Sequence, residues 1–320
     1  MIEAAALIIG VLVALVLISY VIEALRSVPE PSQHLAWAPD IPVRYVDVDG
    51  SRVRYIVAGE GPRLVLLHTL RTQLDMFQKV LPELSQHFRV YALDYPGHGY
   101  SDIPRTEYTV DFFVTSVAGF LDRLDIRDAT LVGESIGGTI ALLLAARRSP
   151  RVRRVIAINP YDYDAGRGLR RSSLLANTIL ALNNVPVLGG TVMRLRQFAI
   201  QKQIFQGGVK RNQSIPPALL KEMYRVGGRR GHYQAFMSLV HHWPEWEKAR
   251  AEYGNIELPV LLLYGDGDWS RPEEREATAR LIRGVQVQTV DAGHFLSLDA
   301  PAELLRAAKR LLTRVPNNVK

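Results

Sequence analysis

Leu131-Val132-Gly133-Glu134-Ser135-Ile136-Gly137-Gly138 carries the strongest signal in the chain. A short apolar run ends in G-x-S-x-G, and a helical pattern begins at Ile136. A serine on a sharp strand-to-helix turn projects its hydroxyl away from the backbone. Glycines at 133 and 137 let neighbouring chain approach without a Cβ clash. The helix that starts there aims backbone N–H groups and its positive dipole end at developing negative charge. Ser135 is therefore the candidate nucleophile.

Outward from this stretch, strand and helix patterns alternate. Residues 64–67, 89–93, 130–132 and 152–158 read as buried strands, and 74–84, 110–124 and 136–147 as helices. Residues 43–48 and 53–58 alternate apolar and polar around Asp49-Gly50, a hairpin signature. From 160 to 250 the alternation stops, leaving helical patterns broken by Gly and Pro. It returns with a strand at 259–265, a helix at 272–282, a strand at 285–290 and a helix at 301–312. The expectation is an α/β fold: a doubly wound, mostly parallel sheet built from 43–159 and 251–320, with a helical insertion at 160–250.

A serine hydroxyl is a weak nucleophile until a base takes its proton. Of eight histidines, His294 stands just after the last expected strand, at the carboxyl edge where such sheets place their sites. The base needs an acid to hold its tautomer. Asp266 and Asp268 both follow the strand at 260–264 and both qualify.

With these residues in hand, the chain resembles the α/β-hydrolase superfamily over roughly 43–315. Leu66-Leu67-His68 resembles the end of the oxyanion-loop strand. Asp94-Tyr95-Pro96-Gly97-His98-Gly99-Tyr100-Ser101-Asp102 matches the D-x-P-G-x-G-x-S loop. Gly265 to Asp268 resembles the G-x-x-D acid loop, which favours Asp268 over Asp266. Gly293-His294-Phe295 resembles the histidine loop, with Asp299-Ala300-Pro301 behind it. The order Ser135, Asp268, His294 is the order of this fold. The resemblance makes the insertion a cap over the site. It also implies an oxyanion hole from the N–H groups of Ile136 and Leu70. One departure stands out: His68 is followed by Thr69 where the family has glycine, and a left-handed backbone would strain a β-branched residue. Arg71 falls near the mouth of the site as a possible partner for a substrate carboxylate, beside a reading as a surface arginine. The cap aromatics Tyr233, Phe236, Trp243 and Trp246 would suit an apolar substrate or pack the cap itself, and Trp243 is the one taken as a substrate contact.

Composition narrows the partners. The chain has 320 residues and no cysteine, which excludes disulfides and thiolate chemistry. Its net charge is +7, and residues 160–255 hold 14 Arg/Lys against 6 Asp/Glu. A basic cap can attract anionic lipid or an acidic substrate, or simply be solvated. No nucleic-acid motif accompanies it. Residues 4–22 carry no charge over 19 positions, enough for a helix of about 28 Å, close to the thickness of a bilayer core. Glu3 precedes them where a signal peptide would be basic, so 1–26 is read as a transmembrane anchor and the proline-rich 27–42 as a linker. Arg26 on the C-terminal flank favours a cytoplasmic catalytic domain.

The expected activity is acyl transfer from an ester or related, lipid-like acyl compound to water, without metal or cofactor. A C–C bond hydrolase or an acyltransferase would use the same triad. Epoxide hydrolases and haloalkane dehalogenases share the fold but need Asp where this chain has Ser135. A non-catalytic ligand-binding scaffold and a membrane-tethered interaction module are the readings from other classes.

Overall fold

The strands of the computed structural model are β1 (His34–Leu35), β2 (Ala38–Val48), β3 (Ser51–Ala58), β4 (Arg63–Leu67), β5 (Arg89–Leu93), β6 (Ala129–Glu134), β7 (Val152–Ile158), β8 (Val260–Gly265) and β9 (Gln286–Val290). The structure describes residues 2–30, 33–183 and 185–313, so Met1, positions 31, 32 and 184, and residues 314–320 of the core expected at 251–320 lie outside it. One sheet runs β1-β2-β3-β5-β4-β6-β7-β8-β9. Pairing is antiparallel through β5 on one side and parallel from β5 to β9. The parallel strands β6 and β8 are buried along their whole length, as strands covered on both faces must be.

Local sequence explains the joints. Asp49 and Gly50 both take positive φ, at 50° and 79°, which is the primed turn that a two-residue hairpin requires. The stretch expected as one helix at 74–84 divides into a 3-10 segment, Leu74–Lys79, and a single turn, Leu81–Leu84, because Pro82 suits a helix start and not its interior. The linker expected at 27–42 also needs correction. His34 pairs with Pro42 and Leu35 with Ala38, so its second half joins the sheet. Pro39 and Pro42 lack an N–H and sit in the outermost ladder, where that loss is least damaging.

The helices in chain order are α1 (Ile2–Ala24), α2 (Leu81–Leu84), α3 (Val110–Arg123), α4 (Ile136–Ala146), α5 (Leu174–Leu182), α6 (Leu188–Arg194), α7 (Phe198–Gln206), α8 (Pro217–Gly227), α9 (His232–His241), α10 (Trp243–Lys248), α11 (Pro272–Leu281), α12 (Leu296–Asp299) and α13 (Pro301–Thr313). Helices α5 to α10 form the insertion between β7 and β8.

Helix α1 contains 19 residues, Ala6–Ala24, long and apolar enough to cross a membrane. It does not stand apart from the domain, because it packs against α6. Ser19 and Glu23, one turn apart, share one face of the helix, and Arg26 follows two residues beyond its end. Ser19 Oγ accepts from Arg194 Nε at 2.9 Å. Glu23 pairs with Arg196 at 2.9 Å and accepts from the Gly231 N–H at 2.8 Å. Arg26 donates to the Arg194 carbonyl at 3.0 Å. Ser19, Glu23, Arg194 and Arg196 are all buried, so part of the cap's positive excess is internal and not a surface.

Candidate active site

Sheet register brings the site together. Leu67 of β4 lies opposite Gly133 of β6. Three residues beyond each, Leu70 and Ile136 emerge at the same carboxyl edge. Ile158 of β7 lies opposite Leu263 of β8, and Gly265 opposite Val290 of β9. The loops holding Asp268 and His294 therefore leave the sheet side by side.

At the elbow, Ser135 has φ 60° and ψ −120°, a conformation that costs about 1–3 kcal/mol and is held by its surroundings. The Ser135 N–H donates to the Ile158 carbonyl at 2.8 Å. A Cβ at Gly133 would lie 2.0 Å from the Gly137 carbonyl oxygen, and one at Gly137 would lie 2.3 Å from that of Leu67. Both positions therefore require glycine for packing.

His294 and Asp268 are fully buried side chains, paired Nδ1 to Oδ1 at 2.5 Å. Asp268 Oδ2 also accepts from the Ser270 N–H at 3.0 Å and from the Ser270 hydroxyl. Burial alone would raise the Asp268 carboxyl; the charge and hydrogen bond of His294, with those from Ser270, outweigh it and hold it below its ordinary value. The Trp269 indole stacks on the imidazole at 3.7 Å and 12°. Asp266, the other sequence candidate, is drawn off to Lys210 at 2.8 Å. Ser135 Oγ and His294 Nε2 are both buried and, among the described residues, both without a hydrogen-bond partner, each other included. Such contacts are often long before substrate binds.

Thr69 avoids the strain expected of it. It is not among the positive-φ residues; that conformation falls on Arg71, at 57°. The Thr69 carbonyl accepts from the Thr72 hydroxyl at 2.8 Å and faces His68 Nδ1 at 2.7 Å. The Tyr95 N–H donates to His68 Nε2 at 3.2 Å, which leaves the ring proton on Nδ1. Burial pushes His68 down to about 3, so it stays neutral and ties the oxyanion loop to the loop after β5.

Two residues escaped the sequence reading. Asn159, one residue beyond β7, donates to the carbonyls of Gly293 at 3.1 Å and His294 at 2.9 Å, and accepts from the Gly265 N–H at 2.9 Å. It clamps the acid and histidine loops with one side chain. Glu134 accepts from the Ser297 N–H at 3.0 Å and hydroxyl at 2.7 Å, which fixes the start of α12 beside the nucleophile. Burial pushes Glu134 up to about 7, despite these bonds, with the Asp268 charge adding to the rise.

Ser135, Leu70 and Arg71 line one cavity beneath the cap. Its walls are mostly apolar, among them Leu169, Leu180, Ile200, Phe205, Phe236 and Phe295. Trp243 is not among them, which corrects its assignment as a substrate contact. It begins α10, is buried, and its backbone packs against Gly166 in the cap interior. Of the four cap aromatics, Phe236 is the one that reaches the cavity.

A serine elbow, a buried His–Asp pair and a capped parallel sheet define a hydrolase scaffold. The family described as alpha/beta hydrolase fold matches residues 62–301, and the chain belongs to it. A haloalkane dehalogenase of Psychrobacter cryohalolentis is 30% identical over 297 residues, covering 84% of this chain and 92% of that protein. An uncharacterised protein of Mycobacterium tuberculosis is 34% identical over 282 residues, covering 84% and 81%. Human epoxide hydrolase 4 is 27% identical over 276 residues, covering 79% and 73%. Among solved structures, the enol-lactonase from Burkholderia xenovorans superposes with a TM-score of 0.69 at 24% identity, covering 85% of this chain and 100% of that one.

Proposed function

We propose that the chain is a serine hydrolase cleaving an ester or related acyl substrate through Ser135, His294 and Asp268. The observation that carries this reading is the pair of buried, unpartnered atoms Ser135 Oγ and His294 Nε2, with Nδ1 of the same ring held by Asp268. His294 takes the proton as Ser135 attacks the acyl carbon, then gives it to the leaving group. Asp268 holds the tautomer and balances the imidazolium. The N–H groups of Ile136 and Leu70 receive the oxyanion. Water activated by the same histidine releases the acid.

The nucleophile separates this from the activities for which two relatives are named. Serine attacking a saturated carbon, as in halide displacement or epoxide opening, would leave an ether that water does not cleave. Attack on a carbonyl leaves an ester, which the oxyanion hole and base can turn over. A C–C bond hydrolase or an acyltransferase would share this machinery. Product analysis with a competing alcohol separates acyl transfer from hydrolysis.

We read α1 as a single-pass anchor, with the catalytic domain on the cytoplasmic side by the flanking Arg26. Its exposed apolar surface supports this, while Ser19, Glu23 and Arg26 join its C-terminal end to the cap. Leu174 at 83% and Val187 at 66% exposure, on or beside α5 and α6, add an apolar rim suited to a bilayer interface and a lipid-like substrate. The test is fluorophosphonate labelling of the full chain in detergent, beside Ser135→Ala. A chain shortened past Arg26 would leave Arg196 without its carboxylate. Label on the parent alone supports the reading; equal label on Ser135→Ala contradicts it.

A further inference from the structure

Two arginines, Arg71 and Arg196, line the cavity that holds Ser135. Arg196 is spent, since it pairs with Glu23 and donates to the carbonyls of Met193, Gly227, Gly228 and Arg229. Arg71 is not. Its guanidinium lies 4.4 Å over the Phe236 ring. Among the described residues it forms no ion pair and no side-chain hydrogen bond. It directly follows Leu70 of the oxyanion loop, and its backbone holds φ 57°. Burial under the cap, with the neighbouring charge of Arg196, pushes it down to about 9. Arg71 is only partly buried and opens into this largely apolar cavity, where a cation with no counter-ion on the chain suits an anionic partner from outside it.

We propose that Arg71 is an anion subsite, which pairs with an acidic group, carboxylate or phosphate, on the acyl substrate that Ser135 attacks. The substrate class is then an acidic ester with an apolar chain. The chain packs on walls such as Ile200 and Phe205, while the planar guanidinium fork receives two oxygens of the acid. Phe236 keeps the fork oriented from its other face. This rests on the hydrolase reading above.

The test uses the full chain in detergent and three esters of matched length: 4-nitrophenyl octanoate, mono-4-nitrophenyl suberate and 4-nitrophenyl 7-phosphonoheptanoate. The readout is the ratio of kcat/KM for each acidic ester to that for the neutral one. In the parent at least one ratio should favour the acid by about 10- to 100-fold, the range of a charge-assisted hydrogen bond. Whichever acid is preferred identifies the group as carboxylate or phosphate. Arg71→Met should bring the ratio close to 1, and Arg71→Lys should restore part of it. A parent ratio of 1 or less for both acids, or a ratio unchanged in Arg71→Met, overturns the proposal. If Ser135 neither labels nor turns over any ester, the hydrolase reading fails on its own. The subsite is then judged by calorimetry of octanoate against octanol. Octanoate preferred by the parent and not by Arg71→Met supports it, and equal binding overturns it.

Discussion

Replacing Asn159 with alanine removes three hydrogen bonds at once, to Gly293, His294 and Gly265, from a residue with no solvent exposure. Each bond contributes about 1 kcal/mol net, and the groups left behind are buried without water. Asn159 also holds φ 44°, which asparagine tolerates better than alanine by about 1 kcal/mol. The expected loss is therefore about 4 kcal/mol. At roughly 2 °C per kcal/mol for a chain of this size, the melting temperature should fall by about 8 °C. Asn159→Gly loses the same bonds without the backbone penalty and should sit about 1 kcal/mol above alanine. Activity should suffer more than stability. The histidine loop loses its anchor, and a shift of about 1 Å at the base costs on the order of 100-fold in kcat. Differential scanning fluorimetry in detergent and ester kinetics read both effects. A fall under 2 °C with kcat unchanged would refute the clamp.

Other perturbations address separate parts of the structure. Glu134 rises from 4.5 to about 7 in the folded chain, so the folded state holds a proton that the unfolded state has released between those values. Stability should therefore fall as pH rises from about 4.5 to 7, by roughly 3 kcal/mol, and Glu134→Gln should flatten that slope in chemical denaturation. Glu23→Ala leaves Arg196 buried and uncompensated; a loss of about 3–5 kcal/mol should show as lower melting and faster proteolysis within the cap. Asp268→Asn should keep the fold yet lower kcat about 10⁴-fold, because the histidine tautomer is no longer held. Gly133→Ala forces a Cβ to 2.0 Å from a backbone oxygen, and fluorophosphonate labelling should be lost with the elbow.

Much of this architecture can be read from spacing. The βα alternation dictates a parallel sheet, and the loops at its carboxyl edge point to Ser135 and His294; the choice of Asp268 over Asp266 comes only from the resemblance to the family's acid loop. Two-residue periodicity around Asp49-Gly50 gives the hairpin for the same reason. What stayed hidden depends on contacts that cross the sequence. Asn159 is a lone polar residue after a strand, and only the register of β7 against β8 sets it between two loops. Glu134 reads as the variable position of the elbow until Ser297 arrives from 163 residues away. Trp243 looked like cavity lining because helical phase inside a cap does not say which side is hollow. The docking of α1 did leave a trace: Ser19 and Glu23 recur on one face of an otherwise largely apolar helix, with Arg26 just beyond its end. That trace gives the face and not the partner, which is α6. The strain expected at Thr69 rested on the family glycine, whereas the turn bonds of Thr72 and His68 shift the left-handed residue to Arg71.

The most direct measurement is to trap the covalent intermediate. The full chain is mixed with a 4-nitrophenyl ester, quenched in acid within the first turnover, and mapped by peptide mass spectrometry. A Ser135 nucleophile requires the acyl mass on the peptide containing Ser135, with a matching burst of 4-nitrophenolate and neither signal in Ser135→Ala. An adduct on a carboxylate side chain, or a burst that survives in Ser135→Ala, would contradict the serine mechanism.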